Sequence, residues 1–237
     1  LAGKNHLTHW TDSETAMSFS RIYEQAVLQK GGESEVRARL PRVAAPGELE
    51  ALGDDRYLSE ITRCIFKAGF VWRVIENKWP KFEEAFEGFV PLYWQQVPPE
   101  VLERLAGDER IVRNAQKIQT VPENARMIVD ASREHGSFGK FLADWPSSDQ
   151  AGLLMWLKRN GARLGGNSAQ YFLRRVGWDG FILSRDVIAA LHREEVLDAS
   201  PTSKKGLMQA QEAFNLWHEE SGLPYSHLSR ILSFTID

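Results

Sequence analysis

Apolar residues recur three and four positions apart along almost the whole of this chain, and no convincing segment alternates apolar with polar residues. That spacing constrains the fold more than any other feature. Side chains return to one face of a helix every ~3.6 residues, but to one face of a strand every second residue. Phe19, Ile22, Tyr23, Ala26 and Val27 form one such stripe, opened by Asp12 or Ser13 and closed by Gly31-Gly32. Leu58, Ile61, Ile65 and Ala68 form another behind Asp54 or Asp55, and Gly69 interrupts it before Trp72 and Ile75 continue the apolar face. Pro80 and Pro98-Pro99 read as openings of further helices that bury Phe82, Ala85, Phe86, Phe89, Leu102 and Leu105. Pro122 lies inside 111–135, a stretch that reads as one helix or a kinked pair. More helices are expected over 138–145, 151–157, 168–176, 182–191, 203–221 and 223–234. The expected fold class is all-α with short turns.

Pro41, Pro46 and Gly47 mark a linker over 41–53. The expected organisation is therefore an N-terminal helical arm and linker, residues 1–53, ahead of a main body over 54–237. Cys64 is the only cysteine, which excludes an internal disulfide and a multi-cysteine zinc site, and favours a reducing, cytoplasmic setting. No apolar run approaches the roughly 20 residues needed to span a bilayer, and no charged-then-apolar leader pattern opens the sequence. His6 and His9 have too few nearby partners for a closed tetrahedral site, so no metal and no other cofactor is expected.

Charge is unevenly spread. The formal net charge is −3, yet residues 158–205 carry nine Lys and Arg against five Asp and Glu. Such a face can grip phosphates, and it equally suits a solvated helical surface. Within it, Val176-Gly177-Trp178-Asp179-Gly180 sits between two helical patterns, and Asp198 follows 21 residues after Gly177. A glycine-bearing turn between helices can aim backbone N–H groups at a phosphate, helped by the positive end of the following helix dipole. Arg174 and Arg175 flank that turn, and Lys204-Lys205 follows at a distance; these read as surface charges with a share in phosphate binding.

Three blocks, in order, carry a family resemblance: Ala68-Gly-Phe-Val-Trp72, Trp79-Pro-Lys-Phe-Glu-Glu-Ala-Phe-Glu-Gly-Phe89, and Arg110-Ile-Val-Arg-Asn-Ala-Gln-Lys-Ile-Gln-Thr-Val-Pro-Glu-Asn-Ala-Arg126. From about residue 54 onward the chain resembles the 3-methyladenine DNA glycosylase I family, within the helix-hairpin-helix DNA glycosylase superfamily. The turn at 176–180 and the terminal Ser229-Arg-Ile-Leu-Ser233 fall where that superfamily would place them. The resemblance implies a helix-hairpin-helix glycosylase-like helical bundle in two lobes. It also implies a monofunctional enzyme, with duplex DNA carrying a damaged base as its partner. Such an enzyme flips an alkylated purine out of the stack and hydrolyses its N-glycosidic bond. A binding module on the same fold that has lost catalysis is the alternative.

Residue roles follow from the same resemblance. Trp72 matches the tryptophan beside the base pocket, where an electron-rich ring attracts a cationic base; core packing is its other reading. Cys64 stands where the family has a base-reading glutamate, and a thiol cannot replace a carboxylate as counter-charge. Glu60, one helical turn earlier, is the candidate substitute. Lys67 falls on the same wall and would repel a cationic base. Asp198 matches the superfamily aspartate that stabilises a developing oxocarbenium ion, or else it caps a turn. Gly177, Trp178 and Gly180 are the expected backbone-binding turn, joined by Lys117, Arg174 and Arg175. Arg113 and Asn114 either face DNA with Lys117 or brace the helical junction. No lysine occupies the turn to form an imine, so strand cleavage by that route is not expected.

Overall fold

The computed structural model describes residues 18–236, and among these every regular element is helical. The proposed caps Asp12 and Ser13, and the pair His6 and His9, lie outside the described residues. No helix among the described residues is long and apolar enough to cross a membrane.

The described residues open with α1 (Phe19–Lys30), α2 (Glu33–Ala38), α3 (Pro46–Ala51) and α4 (Asp54–Lys67). It continues through α5 (Trp72–Ala85), α6 (Pro91–Trp94), α7 (Pro99–Ala106), α8 (Ala115–Ile118), α9 (Thr120–His135) and α10 (Phe138–Asp144). The last third holds α11 (Gln150–Asn160), α12 (Asn167–Arg175), α13 (Arg185–Arg193), α14 (Lys204–Ser221) and α15 (Tyr225–Ser233).

Helix α4 is the centre. Tyr57, Leu58, Ile61, Thr62, Cys64, Ile65 and Phe66 are all buried, so it has almost no solvent face. A helix enclosed this way must be covered from several sides. Helices α5, α9, α10 and α12 all pack on it. Thr62 returns its hydroxyl to the Leu58 carbonyl within the helix, at 2.8 Å, which removes the cost of burying it.

Three sequence expectations meet a different structure. The linker over 41–53 contains α3, which lies against α10 so closely that a Cβ on Gly139 would meet the Leu49 carbonyl oxygen at 2.1 Å. The first helical segment is likewise no free arm. Glu220, on α14, accepts from Ser18 Oγ at 2.8 Å and from the Phe19 amide at 2.9 Å, and so caps α1 from 200 residues away. Phe19, Ile22 and Ala26 are buried there against the C-terminal helices. Finally, Pro80 does not open a helix: α5 runs through it. The missing N–H is tolerated because the aromatic face is continuous, with Trp79 stacked on Phe82 at 4.7 Å and on Phe89 at 5.6 Å. Pro122 behaves conventionally, falling in the first turn of α9, where its N–H would lack an intrahelical partner anyway.

Candidate functional site

A cavity of about 610 Å³ opens where the C-terminus of α4, the turn into α5, residues 163–168 and α12 converge. Its walls include Cys64, Lys67, Trp72, Arg163, Tyr171 and Arg175. Trp72 and Tyr171 meet edge to face with ring centroids 5.1 Å apart, forming an aromatic corner. Trp72 is 48% exposed, too open for a core side chain. Just before it, Gly69 takes a positive φ of 69°, and the tight turn leaves Phe70 and Val71 exposed at the rim.

Ionic partners decide what this cavity offers. Cys64 is buried, and burial pushes its thiol up to about 12, so it stays neutral and is a poor nucleophile. Glu60 does not line the cavity; its carboxylate accepts from Arg175 Nε at 2.5 Å and lies 3.5 Å from Arg63. Glu76 is bound by Lys67 and by Arg175 at 3.3 Å. Burial raises the Glu76 carboxyl, but the Lys67 bond and the charges of Arg175, Lys67 and Arg63 outweigh it and hold the group below its usual range. The cations Lys67, Arg163 and Arg175 therefore face the space, while the nearby carboxylates are engaged behind them.

Lys117 is buried beneath this wall. Its Nζ donates to the carbonyls of Phe66, at 3.1 Å, and Ala68, at 2.6 Å, satisfying acceptors that the end of α4 leaves open. Asn114 caps α8 by accepting from the Lys117 amide at 3.0 Å. Both brace the junction; Arg113 is exposed.

The glycine turn expected at 176–180 is closed. Gly177 has φ 88°, its carbonyl accepts from the Ala44 amide at 2.9 Å, and a Cβ there would lie 2.7 Å from the Ala44 Cβ. Trp178 is buried, with Nε1 donating to the Leu142 carbonyl at 2.9 Å. The carboxylate of Asp179 receives the amides of Tyr225 and Ser226, at the start of α15. Arg174 faces inward and donates to the Gly180 carbonyl at 3.0 Å; burial lowers its guanidinium to about 10. Beyond the turn, the amides of Phe181, Ile182 and Leu183 go to Gln150, Ser229 and Gln170. These interactions explain why α13 starts at Arg185 rather than at 182.

The open glycine turn is the one before α12. Residues 161–166 join α11 to α12, with Leu164 buried beneath and Gly165 and Gly166 exposed. Asn124, fully buried, accepts from the Ala162 amide at 2.8 Å and donates to its carbonyl at 3.2 Å, which anchors the turn from α9. Gly166 precedes α12 with no side-chain cap, and no acid occupies the first turn. Gly165 and Gly166 line the cavity on one side and a groove of about 380 Å³ on the other. Lys158, Arg159 and Lys204 line that groove.

Asp198 lines neither space. It is exposed, held by Lys205 Nζ at 2.8 Å and Gln209 Nε2 at 2.7 Å, and these bonds lower its carboxyl. The sequence reading thus placed Cys64, Lys67 and Trp72 together, assigned Arg175 to the turn at 176–180 although it lines this cavity, and missed Tyr171, Arg163, Gly165, Gly166 and the exposed Phe70. The available signal was Gly161 with Gly165-Gly166 before an amphipathic segment, the same pattern that 176–180 displays.

Among the described residues the frame is wholly helical, with a glycine-bearing turn at each end of α12 and a cavity beside the first. Residues 50–153 match the family model for methyladenine glycosylase. That match covers less than half of the chain, so it marks the stretch as similar to the methyladenine glycosylase family. Among solved structures, the 8-oxoguanine DNA glycosylase of Methanocaldococcus jannaschii superposes with a TM-score of 0.51 at 18% identity, covering 95% of this chain and 94% of its own. The 8-oxoguanine glycosylase/lyase of the same organism, in complex with a 15mer DNA containing 8-oxoguanine, gives 0.51 at 18%, over 90% and 96%. The 3-methyladenine DNA glycosylase I of Staphylococcus aureus is 24% identical over 53% of this chain and 77% of its own, with a TM-score of 0.47.

Proposed function

We propose that this protein extrudes a damaged purine from duplex DNA into the cavity beside Trp72 and hydrolyses its N-glycosidic bond. The supporting observation is that Gly165 and Gly166 belong at once to the cavity wall and to the basic groove. A phosphate held by the turn would sit next to the mouth through which its nucleotide must rotate. This assigns the backbone contact to 161–166, with Lys158, Arg159 and Lys204 beside it.

Extrusion leaves a gap in the stack. Phe70 and Val71, exposed at the rim, are apolar wedges of the size that fills such a gap. Inside, Trp72 and Tyr171 offer the extruded base an aromatic corner, and Asn167 and Ser168 offer polar edges. Water then adds at C1′ as the bond to the base nitrogen breaks. The single, neutral thiol of Cys64 suits a reducing compartment such as the cytoplasm.

Release of free base from damaged duplex, followed by chromatography, tests the reading. Base should appear in proportion to enzyme; binding without release would select a DNA-binding module instead. Replacing Lys158→Ala and Arg159→Ala together should weaken duplex binding and reduce the slope of log affinity against log salt by about two. An unchanged slope would remove the groove from the interface.

A further inference from the structure

The charges around the cavity bear on which base it admits, provided the glycosylase reading holds. Lys67, Arg163 and Arg175 line the space, and no Asp or Glu among the described residues does. The carboxylates of Glu60 and Glu76 are shared among three cations, Arg63, Lys67 and Arg175. That group keeps one positive charge in excess. Arg163 adds another, since its guanidinium bonds to neutral Gln116 at 2.7 Å. Lys117 is a further cation beneath the wall, bonded to carbonyls; burial first, and then the charge of Arg163, lowers its ammonium.

The aromatic face points the same way. A cationic base would be drawn to the ring of Trp72, yet Lys67 Nζ already lies over that ring, 5.2 Å from its centroid. A second cation brought there would meet Lys67, whose paired carboxylate, Glu76, is shared with Arg175 and does not line the cavity.

We propose that the cavity selects a neutral purine bearing carbonyl oxygens, of the oxidised or deaminated kind, and disfavours a purine with a fixed positive charge. The cationic donors match the acceptor edge of such a base. They also match its chemistry. When the glycosidic bond of a neutral base breaks, the electron pair goes to the base nitrogen and the leaving group is an anion. Water oxygen bonds to C1′, and the proton it gives up neutralises that nitrogen directly or through solvent. Fixed positive charge next to the base stabilises the developing anion. An already cationic base departs neutral and gains nothing from it.

The test uses duplexes identical except at one nucleotide, whose 2′-fluoro sugar suppresses bond cleavage so that affinity is read without turnover. One carries 8-oxoguanine and another hypoxanthine, both neutral; the third carries 7-methylguanine, which is cationic in the nucleotide. At least one neutral duplex should bind about tenfold or more tightly than the cationic duplex. Lys67→Met should narrow that ratio at least threefold by strengthening the cationic complex. Arg163→Gln, on the exposed turn, should narrow it too and guards against misfolding of the first variant. Equal or tighter binding of the 7-methylguanine duplex overturns the inference, as does a ratio that neither variant moves. Parallel release assays on ordinary sugars separate it from the enzyme reading. The affinity preference without release from any duplex would remove hydrolysis and leave the selectivity standing. If no damaged duplex binds better than an undamaged one, the cavity is no base site and both fall.

Discussion

Helix α12 has a glycine-bearing turn at each end, and the two turns have opposite fates. At 161–166, Gly165 and Gly166 are exposed, and a Cβ on Gly166 would meet nothing within 4 Å. At 176–180, Gly177 is roofed by Ala44 and Trp178 is buried in the core. Glycine serves both, but for different reasons. In the first turn it keeps backbone accessible from outside; in the second it admits another segment of the same chain and a positive φ. Local composition announces that something approaches the backbone closely. Whether that is a ligand or the protein itself depends on what the rest of the fold brings there.

This contrast can be broken by substitution. Gly177→Ala should have the largest effect on stability, because it adds both a strained φ and a clash with Ala44. A loss of about 3 kcal/mol is expected, seen as a lower thermal midpoint. Gly166→Ala should change stability by less than about 0.5 kcal/mol, while weakening duplex binding measured by fluorescence anisotropy. If the two variants exchange these effects, the assignment of open and closed turns is wrong.

Asn124→Ala sharpens the comparison at the open turn. It leaves both polar groups of Ala162 without their buried partner, which should cost about 2 kcal/mol. It should also lower duplex affinity, because the turn is no longer held rigid. Loss of stability at full affinity would show that the turn orders itself on DNA. The smallest effect is expected from Asp198→Asn. The residue is exposed and lines neither cavity nor groove, so base release should change less than about threefold; a near-complete loss would restore Asp198 to the reaction.

Legibility from sequence followed the range of the interactions involved. The helical class was readable from spacing alone, since burying one face of each helix requires it. Trp72, Cys64 and Lys67 were placed on one wall by the family resemblance, and the structure brings them together across a turn of helix and a short loop. Pro80 misled because proline normally starts a helix, and only the stacked rings of Trp79, Phe82 and Phe89 show why α5 continues. Glu60 was the candidate substitute for the pocket glutamate, but Arg175, 115 residues away, holds it outside the cavity. Asp179, in the turn expected to bind a phosphate, is instead the acceptor for two amides at the start of α15.

By itself, the sequence determined most of the longer helical segments and the approximate position of their ends. All of these depend on residues a few positions apart. Tertiary structure alone decided which glycine turn faces outward, which carboxylates are neutralised and which cations remain facing the cavity. Those outcomes are set by contacts between distant segments, such as Ala44 on Gly177 and Arg175 on Glu60. No local pattern encodes them, because a charge or an open backbone acquires its chemical meaning from the partner that folding brings, or fails to bring, within hydrogen-bonding reach.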